Sequence, residues 1–329
     1  MNLGRRSTTD ATRWDDALEE CASPAPLLQT WAWGEVQSRV GWNIDRVRLA
    51  AGAIASVQLR QVGPVREAYV PRGPVPSTPG AIDALIEWAS GAKIAKLTVE
   101  PDAPPSLAEA LKERGFTAAH PTQPATTRIL PLSPPEAMLA SFDRGTRYNI
   151  RLAERKGVVV EVGTDAAELA RQSAPVEARQ GINLPGRAYY ELLLSVLPWC
   201  RTYVARHPET KVAVGALLTV RHSGRGYNLF AGRSGAHPDL KANELLHWCA
   251  IRDCAEAGMR DYDLWGVPPA QAGPDHPWHG LGRFKAGFGG EEVAYVGAWE
   301  LVLSTSGARL VALERRARAY VRGLKRNIS

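Results

Sequence analysis

Apolar and polar positions along the chain fall into short runs with two periods. Strand-like runs occur at Arg46–Leu49, Ala53–Arg60 and Ala68–Val70, the first two joined through Gly52. Pro79–Gly80 then opens a stretch with Ile82, Leu85, Ile86 and Ala89 at helical spacing, and Ile94–Val99 is strand-like again. Ser106 and Glu109 stand three apart, the spacing of a capping box, and Gly115 closes the helix they open. The second half repeats this order. Thr202–Arg206, Val212–Val220 and Gly226–Phe230 read as strands. A helix follows from about Asn243 to Ala257, with Leu245, Leu246, Cys249 and Cys254 inward and Gly258 at its end. In Asp261–Trp265, Tyr262 and Leu264 alternate with the two aspartates.

Two copies of strand–strand–strand–helix–strand predict a tandem mixed α/β protein. The Pro-rich stretch Leu130–Pro135 marks the boundary region. The first domain is expected over 1–143 and the second over 144–304, the latter opening with a basic helix from Arg144 to Lys156. A terminal helix over 305–329, apolar at Leu310, Leu313, Tyr320 and Leu324, is expected to pack on the first domain. Its arginines, among them Arg318 and Arg322, would face an anionic partner or an anionic membrane surface if they are not simply solvated.

Composition narrows the class. With 45% hydrophobic and 22% charged residues, the 329-residue chain folds rather than remaining disordered. The longest apolar stretch, around Leu192 to Trp199, is too short to span a bilayer, and the first residues lack an apolar signal core, so a cytoplasmic location is expected. Four scattered cysteines form no CxxC pair, and His276 and His279 have only Asp275 nearby as a further ligand. Neither disulfides nor a metal site are expected. The net charge of +6 suits an anionic partner and equally suits a plain basic surface.

The repeated order resembles the acyltransferase fold called GNAT. In an acetyl-CoA enzyme of that fold, a Gly-rich turn before the central helix grips the pyrophosphate through backbone N–H groups. Here the corresponding stretches, His237–Glu244 and Pro76–Gly80, lack that glycine pattern. CoA is therefore not expected as donor, and no other cofactor is implied. Glycines gather instead between Gly280 and Gly290, five in eleven residues, around Arg283, Phe284 and Lys285. Such a stretch reads as a flexible or sharply turned segment that brings cations to a phosphorylated ligand, or as a Gly-rich connection with solvated charges.

Five segments in order resemble the Fem family of peptidoglycan bridge-forming aminoacyltransferases, in its short form without a helical arm. They are Leu28–Val36 with Gly41-Trp42, Tyr69–Val75, Arg147–Gly157, Glu177–Gly181 with Tyr189-Tyr190, and Tyr262–Gly266 with the Phe284-Lys285 segment. The resemblance implies tandem GNAT-like domains, an aminoacyl-tRNA donor, and a UDP-linked or lipid-linked muropeptide precursor as acceptor. It also implies the site residues. Lys285 would act on the acceptor phosphate or the developing oxyanion. Arg179 would bind phosphate or end a helix in solvent. Phe284 would stack on uracil or lie in the core. Arg72 would contact the ligand or brace its Gly-Pro turn. Arg283 and Tyr227 join the substrate-binding set, and Arg147 and Arg151 present a basic face to tRNA or to solvent. The chain departs from the family pattern at Gln37, where members often carry lysine, and at Pro76-Ser77, where some carry an acid. An aminoacyl-tRNA–protein transferase, a small-molecule N-acyltransferase and a non-catalytic RNA- or precursor-binding module are the competing functions.

Overall fold

The computed structural model describes residues 8–180, 184–269 and 271–307. In chain order the helices and strands are α1 (Thr8–Cys21), α2 (Trp31–Arg39), β1 (Asn43–Arg48), β2 (Ile54–Val62), β3 (Val65–Pro71), α3 (Pro79–Gly91), β4 (Ile94–Glu100), α4 (Ala108–Glu113) and β5 (Thr117–Ala118). They continue as β6 (Thr126–Pro131), α5 (Pro135–Ser141), α6 (Arg144–Arg155), β7 (Val159–Gly163), α7 (Ala166–Gln180), α8 (Arg187–Val196), β8 (Cys200–Arg206), β9 (Ala213–His222) and β10 (Arg225–Gly232). Last come α9 (Ala242–Glu256), β11 (Asp261–Gly266), α10 (His279–Ala286), β12 (Glu291–Ala294) and β13 (Trp299–Val302).

Two compact units result. One runs to Ala125 and resumes at Tyr295; the other is Thr126–Ala294. The first holds a six-stranded sheet of order β1-β2-β3-β4-β13-β5, the second a seven-stranded sheet of order β12-β6-β11-β10-β9-β8-β7. Within each, one pair is parallel: β3 with β4, and β10 with β11. A parallel pair needs a crossover, and α3 and α9 supply it. The boundary thus falls at Ala125/Thr126 rather than at 143/144, because β6 completes a ladder with β11 and β12. The second unit likewise ends before 304, since β13 pairs with β4 and β5. A strand belongs to the ladder that satisfies its backbone, whatever prolines surround it. The expected terminal helix and its arginines lie outside the described residues beyond Gly307.

Local chemistry accounts for the element ends. The side chains of Thr30, Thr78 and Asp143 accept backbone N–H groups at the starts of α2, α3 and α6. Gly115 and Gly258 take positive φ just past α4 and α9. The capping box at Ser106 does not form. A short 3₁₀ turn, Pro105–Leu107, precedes α4, and Glu109 pairs with Lys112 instead. The inward face expected for α9 is buried: Leu245, Leu246, Cys249 and Cys254 join the core of the second unit with Ile251 and Tyr262. Full burial of each large apolar side chain contributes roughly 1.5–3 kcal/mol.

Candidate functional site

The second sheet opens where β10 and β11 leave each other. They pair only from Arg225 to Tyr227 against Asp261 to Asp263. An ion pair between Arg225 and Asp261 clamps the start of this short ladder. Beyond it, β10 breaks register with β9 between Asn228 and Phe230, and β11 breaks register with β6 between Asp263 and Gly266. Trp265 lies in that break with φ of 63°, a left-handed conformation that is strained for a tryptophan. Bulges of this kind end pairing and re-aim side chains.

Lys285 reaches this break from α10. The Gly280–Gly290 segment is therefore not a loop over its first part but a helix. Its later glycines serve close approach. A side chain on Gly287 would collide with Thr146 and Asp143, and Gly290, at φ of 73°, would collide with the carbonyl of Ile129. Within α10, Lys285 turns inward and is 5% exposed. Its Nζ donates to the carbonyl of Gly266 at 2.7 Å. Burial disfavours the charged form and Asp263 partly restores it, so the ammonium pKa falls to about 7. Asp263, itself buried, accepts from the Thr127 hydroxyl and from the backbone N–H of Trp265 at 2.7 Å.

His247, on α9, completes the cluster. Its ring meets Phe284 edge-on at 5.0 Å and stacks on Phe288 at 5.8 Å. Burial and the nearby Lys285 push its pKa down to about 3, so it is neutral at pH 7. Asn228 Nδ2 lies 3.4 Å from His247 Nε2, while Asn228 Oδ1 and His247 Nδ1 have no hydrogen-bond partner among the described residues. The sequence alone singles out neither residue. His247 looks there like any inward position of a helix, and only the fold sets it beside Lys285.

The other expected site residues divide. Phe284 is half-buried and packs against the core of the second unit, its ring edge-on to Phe288 at 5.4 Å. Tyr227 is buried on β10 with its ring 6.2 Å from Trp265. Arg283 is exposed on α10. Arg147, half-exposed, donates to the carbonyls of Ala140, at 2.9 Å, and of Phe142, which secures the end of α5. Arg151, one turn on, is exposed. Arg179 belongs to α7, but its side chain lies outside the described residues. Arg72, in the first unit, is a brace: its Nη2 donates to Pro124 O at 2.8 Å and its guanidinium lies 3.7 Å over the Tyr295 ring. Before α9, a cavity of about 130 Å³ is lined by Arg233, His237, Lys241 and Asn243.

Residues 140–278 match the family described as acetyltransferase (GNAT) domain. A search of curated proteins returns no match. Among solved structures, FemX is similar at a TM-score of 0.77 and 19% identity, over 92% of this chain and 98% of that one. The C-terminal domain of a putative lysylphosphatidylglycerol synthetase from Agrobacterium fabrum is similar at 0.58 and 16%, over 92% and 95%. A tandem GNAT protein from the clavulanic acid biosynthesis pathway is similar at 0.54 and 15%, over 90% and 95%. The chain thus has a tandem GNAT fold of two mixed α/β units, as the repeated order of elements predicts.

Proposed function

We propose that this protein is an aminoacyltransferase that moves an amino acid from aminoacyl-tRNA to the stem-peptide amine of a peptidoglycan precursor. The observation that carries the reading is Lys285: a cation buried where the second sheet opens, in the position the Fem-like segments assign to the site. The likeness to FemX across nearly the whole chain supports it. The donor is an ester, already activated, so no covalent enzyme intermediate is required. The neutral acceptor amine attacks the ester carbonyl, and a negative charge develops on its oxygen. Collapse of this intermediate breaks the ester C–O bond, the terminal ribose hydroxyl of the tRNA leaving with the proton that the amine sheds. Lys285 in its ammonium form supplies a preorganised donor for that oxyanion, in surroundings where water screens little. Its pKa of about 7 keeps both protonation states populated near neutrality. The acceptor is UDP-linked or lipid-linked, and Arg283, exposed on the same helix as Lys285, offers a cation for its phosphates.

Among the described residues no helix is long and apolar enough to cross a membrane. We place the reaction in the cytoplasm, or at the inner face of the membrane where a lipid-linked acceptor would lie. The test is transfer of a radiolabelled amino acid from charged tRNA to a UDP-muramyl pentapeptide. Label in the muropeptide is the expected result. Label appearing only in phospholipid would move the acceptor to a lipid headgroup, the reading that the synthetase-like neighbour favours. Acetyl transfer from acetyl-CoA without any tRNA-dependent product would overturn the proposal.

A further inference from the structure

The outward face of α6 carries a pattern that the proposed chemistry does not use. Arg144, Tyr148, Arg151 and Arg155 follow one another at four, three and four residues, and all are exposed. At 100° per residue they fall within about 60° of one another on the helix, and they extend along about 16 Å of its length. The buried positions of the helix, Thr146, Ile150 and Ala153, lie on the opposite side. None of the three arginines has an ion pair or side-chain hydrogen bond among the described residues. The single acid of the helix is Glu154, outside the stripe. Tyr148 is 57% exposed, a large ring held in water between guanidinium groups.

We infer that this stripe binds single-stranded RNA, with Tyr148 stacking on an unpaired base and Arg144, Arg151 and Arg155 meeting flanking phosphates. The inference rests on the reading that the donor is aminoacyl-tRNA, whose acceptor end is single-stranded. Arginines interleaved with an exposed aromatic match that ligand in both charge and shape: phosphates take the cations, and a base takes the ring. A membrane surface fits less well. A helix lying on lipid needs a broad apolar face, and the exposed side of α6 offers only Tyr148. The stripe also revises the sequence-based pair. Arg151 belongs to it, whereas Arg147 is tied to the carbonyls that end α5.

Fluorescence anisotropy of the full chain with a short single-stranded RNA and with uncharged tRNA, over a salt series, tests this. Tyr148→Ala is expected to weaken the short RNA roughly 5- to 150-fold, the range for removal of one stacked base, while Tyr148→Trp retains it. Arg144→Gln, Arg151→Gln and Arg155→Gln together are expected to flatten the plot of log affinity against log salt by roughly 2, about 0.7 for each phosphate no longer neutralised. Arg187→Gln, an exposed arginine on α8, serves as the control and is expected to change neither. All four stripe side chains project into solvent, so thermal unfolding is expected to be unaltered. If the triple variant and Tyr148→Ala both bind RNA as wild type does, the stripe does not meet RNA. The same holds if they lose binding only to phosphatidylglycerol vesicles. Should wild type transfer amino acid from tRNA while the stripe variants bind RNA normally, the proposed function stands and this inference falls. If wild type binds no RNA at any salt, both fall.

Discussion

Each unit keeps a buried cation near the end of its parallel strand pair, and the two are held in opposite ways. In the first unit β3 and β4 pair through to Pro71 and Glu100. Arg72 follows directly at φ of 53°, with its guanidinium committed to Pro124 O and the Tyr295 ring. Glu100 is equally committed. Its carboxylate takes the backbone N–H groups of Thr122 and Gln123 at 2.6 and 2.8 Å, and Gln123 in turn reaches the Tyr69 hydroxyl. Burial still raises the Glu100 pKa, against those hydrogen bonds. In the second unit β10 and β11 separate after three pairs, and the cation is a lysine whose charge is half lost at neutral pH. A guanidinium stays charged throughout the working range, so Arg72 suits fixed bracing. A buried ammonium can exchange its proton and its partner. One plan thus gives a closed end in one unit and a chemically labile end in the other.

Replacing Lys285 should break this contrast most severely. Lys285→Met removes the charge and keeps the length. A charge-assisted hydrogen bond to the oxyanion is worth roughly 2–4 kcal/mol, so its removal should slow transfer about 30- to 1000-fold. A fall in kcat at constant KM would identify oxyanion stabilisation, and a rise in KM for the precursor would identify phosphate binding instead. The fold should survive, because the variant no longer buries an ammonium. Transfer at the wild-type rate and KM would return Lys285 to a purely structural role.

The same residue makes stability depend on pH. Its folded pKa is about 7, against the ordinary lysine value of 10.5. Below about 7 both states carry the proton and the penalty for burying charge is constant. Between about 7 and 10.5 the unfolded lysine holds a proton that the folded one has lost, so stability rises with pH, by at most about 1.4 kcal/mol per unit. Above 10.5 both are neutral and the rise stops. Urea unfolding of wild type and Lys285→Met at pH 7.5 and 9.5 should show this as a slope present in the former and absent in the latter. Parallel pH profiles would mean that the lysine is hydrated in solution.

Arg72 should behave in the opposite sense. Arg72→Leu loses a charged hydrogen bond and a cation–π interaction, together about 2–4 kcal/mol of stability in denaturant unfolding. Transfer per folded molecule should change less than about 3-fold, the scale expected of a residue that does not touch the ligand. A precursor KM raised tenfold in a variant of normal stability would make Arg72 a ligand group after all.

The tandem plan is legible in the sequence because its signals are local. Apolar periodicity sets β2, β9, α3 and α9, and Gly115 and Gly258 mark helix ends through their positive φ. What the chain does not show locally is pairing at a distance. β6 and β13 read as ordinary stretches near prolines or past a glycine segment, and only the ladders assign them to their sheets. The same limit explains the site. Glycines at 280, 282 and 287 suggest a loop, yet Gly287 is small because Asp143 and Thr146 press on it, and the helix before it survives. The motif points to Lys285, but the burial of that lysine, and its neighbours Asp263 and His247, depend on the diverging strands and on α9.

The smallest effect at neutral pH is expected from His247→Phe. The imidazole already sits among Phe284 and Phe288, so a phenyl ring meets similar neighbours. The substitution strips the Asn228 amide of a long hydrogen bond and removes an unpartnered Nδ1, two changes of opposite sign and about 1 kcal/mol each. Stability at pH 7 should therefore change by less than about 1 kcal/mol. Acid separates the proteins. The folded histidine has a pKa of about 3 against 6.5 unfolded, so as pH falls below 6.5 the unfolded chain gains a proton that the folded one refuses. Wild type then loses stability while the phenylalanine variant is spared that loss, by about 2 kcal/mol at pH 5. Equal acid sensitivity of the two would show that His247 is protonated in the folded state. In acid a second titrating cation would then stand beside Lys285, and the charge of the second unit would shift with pH still more than that of the first.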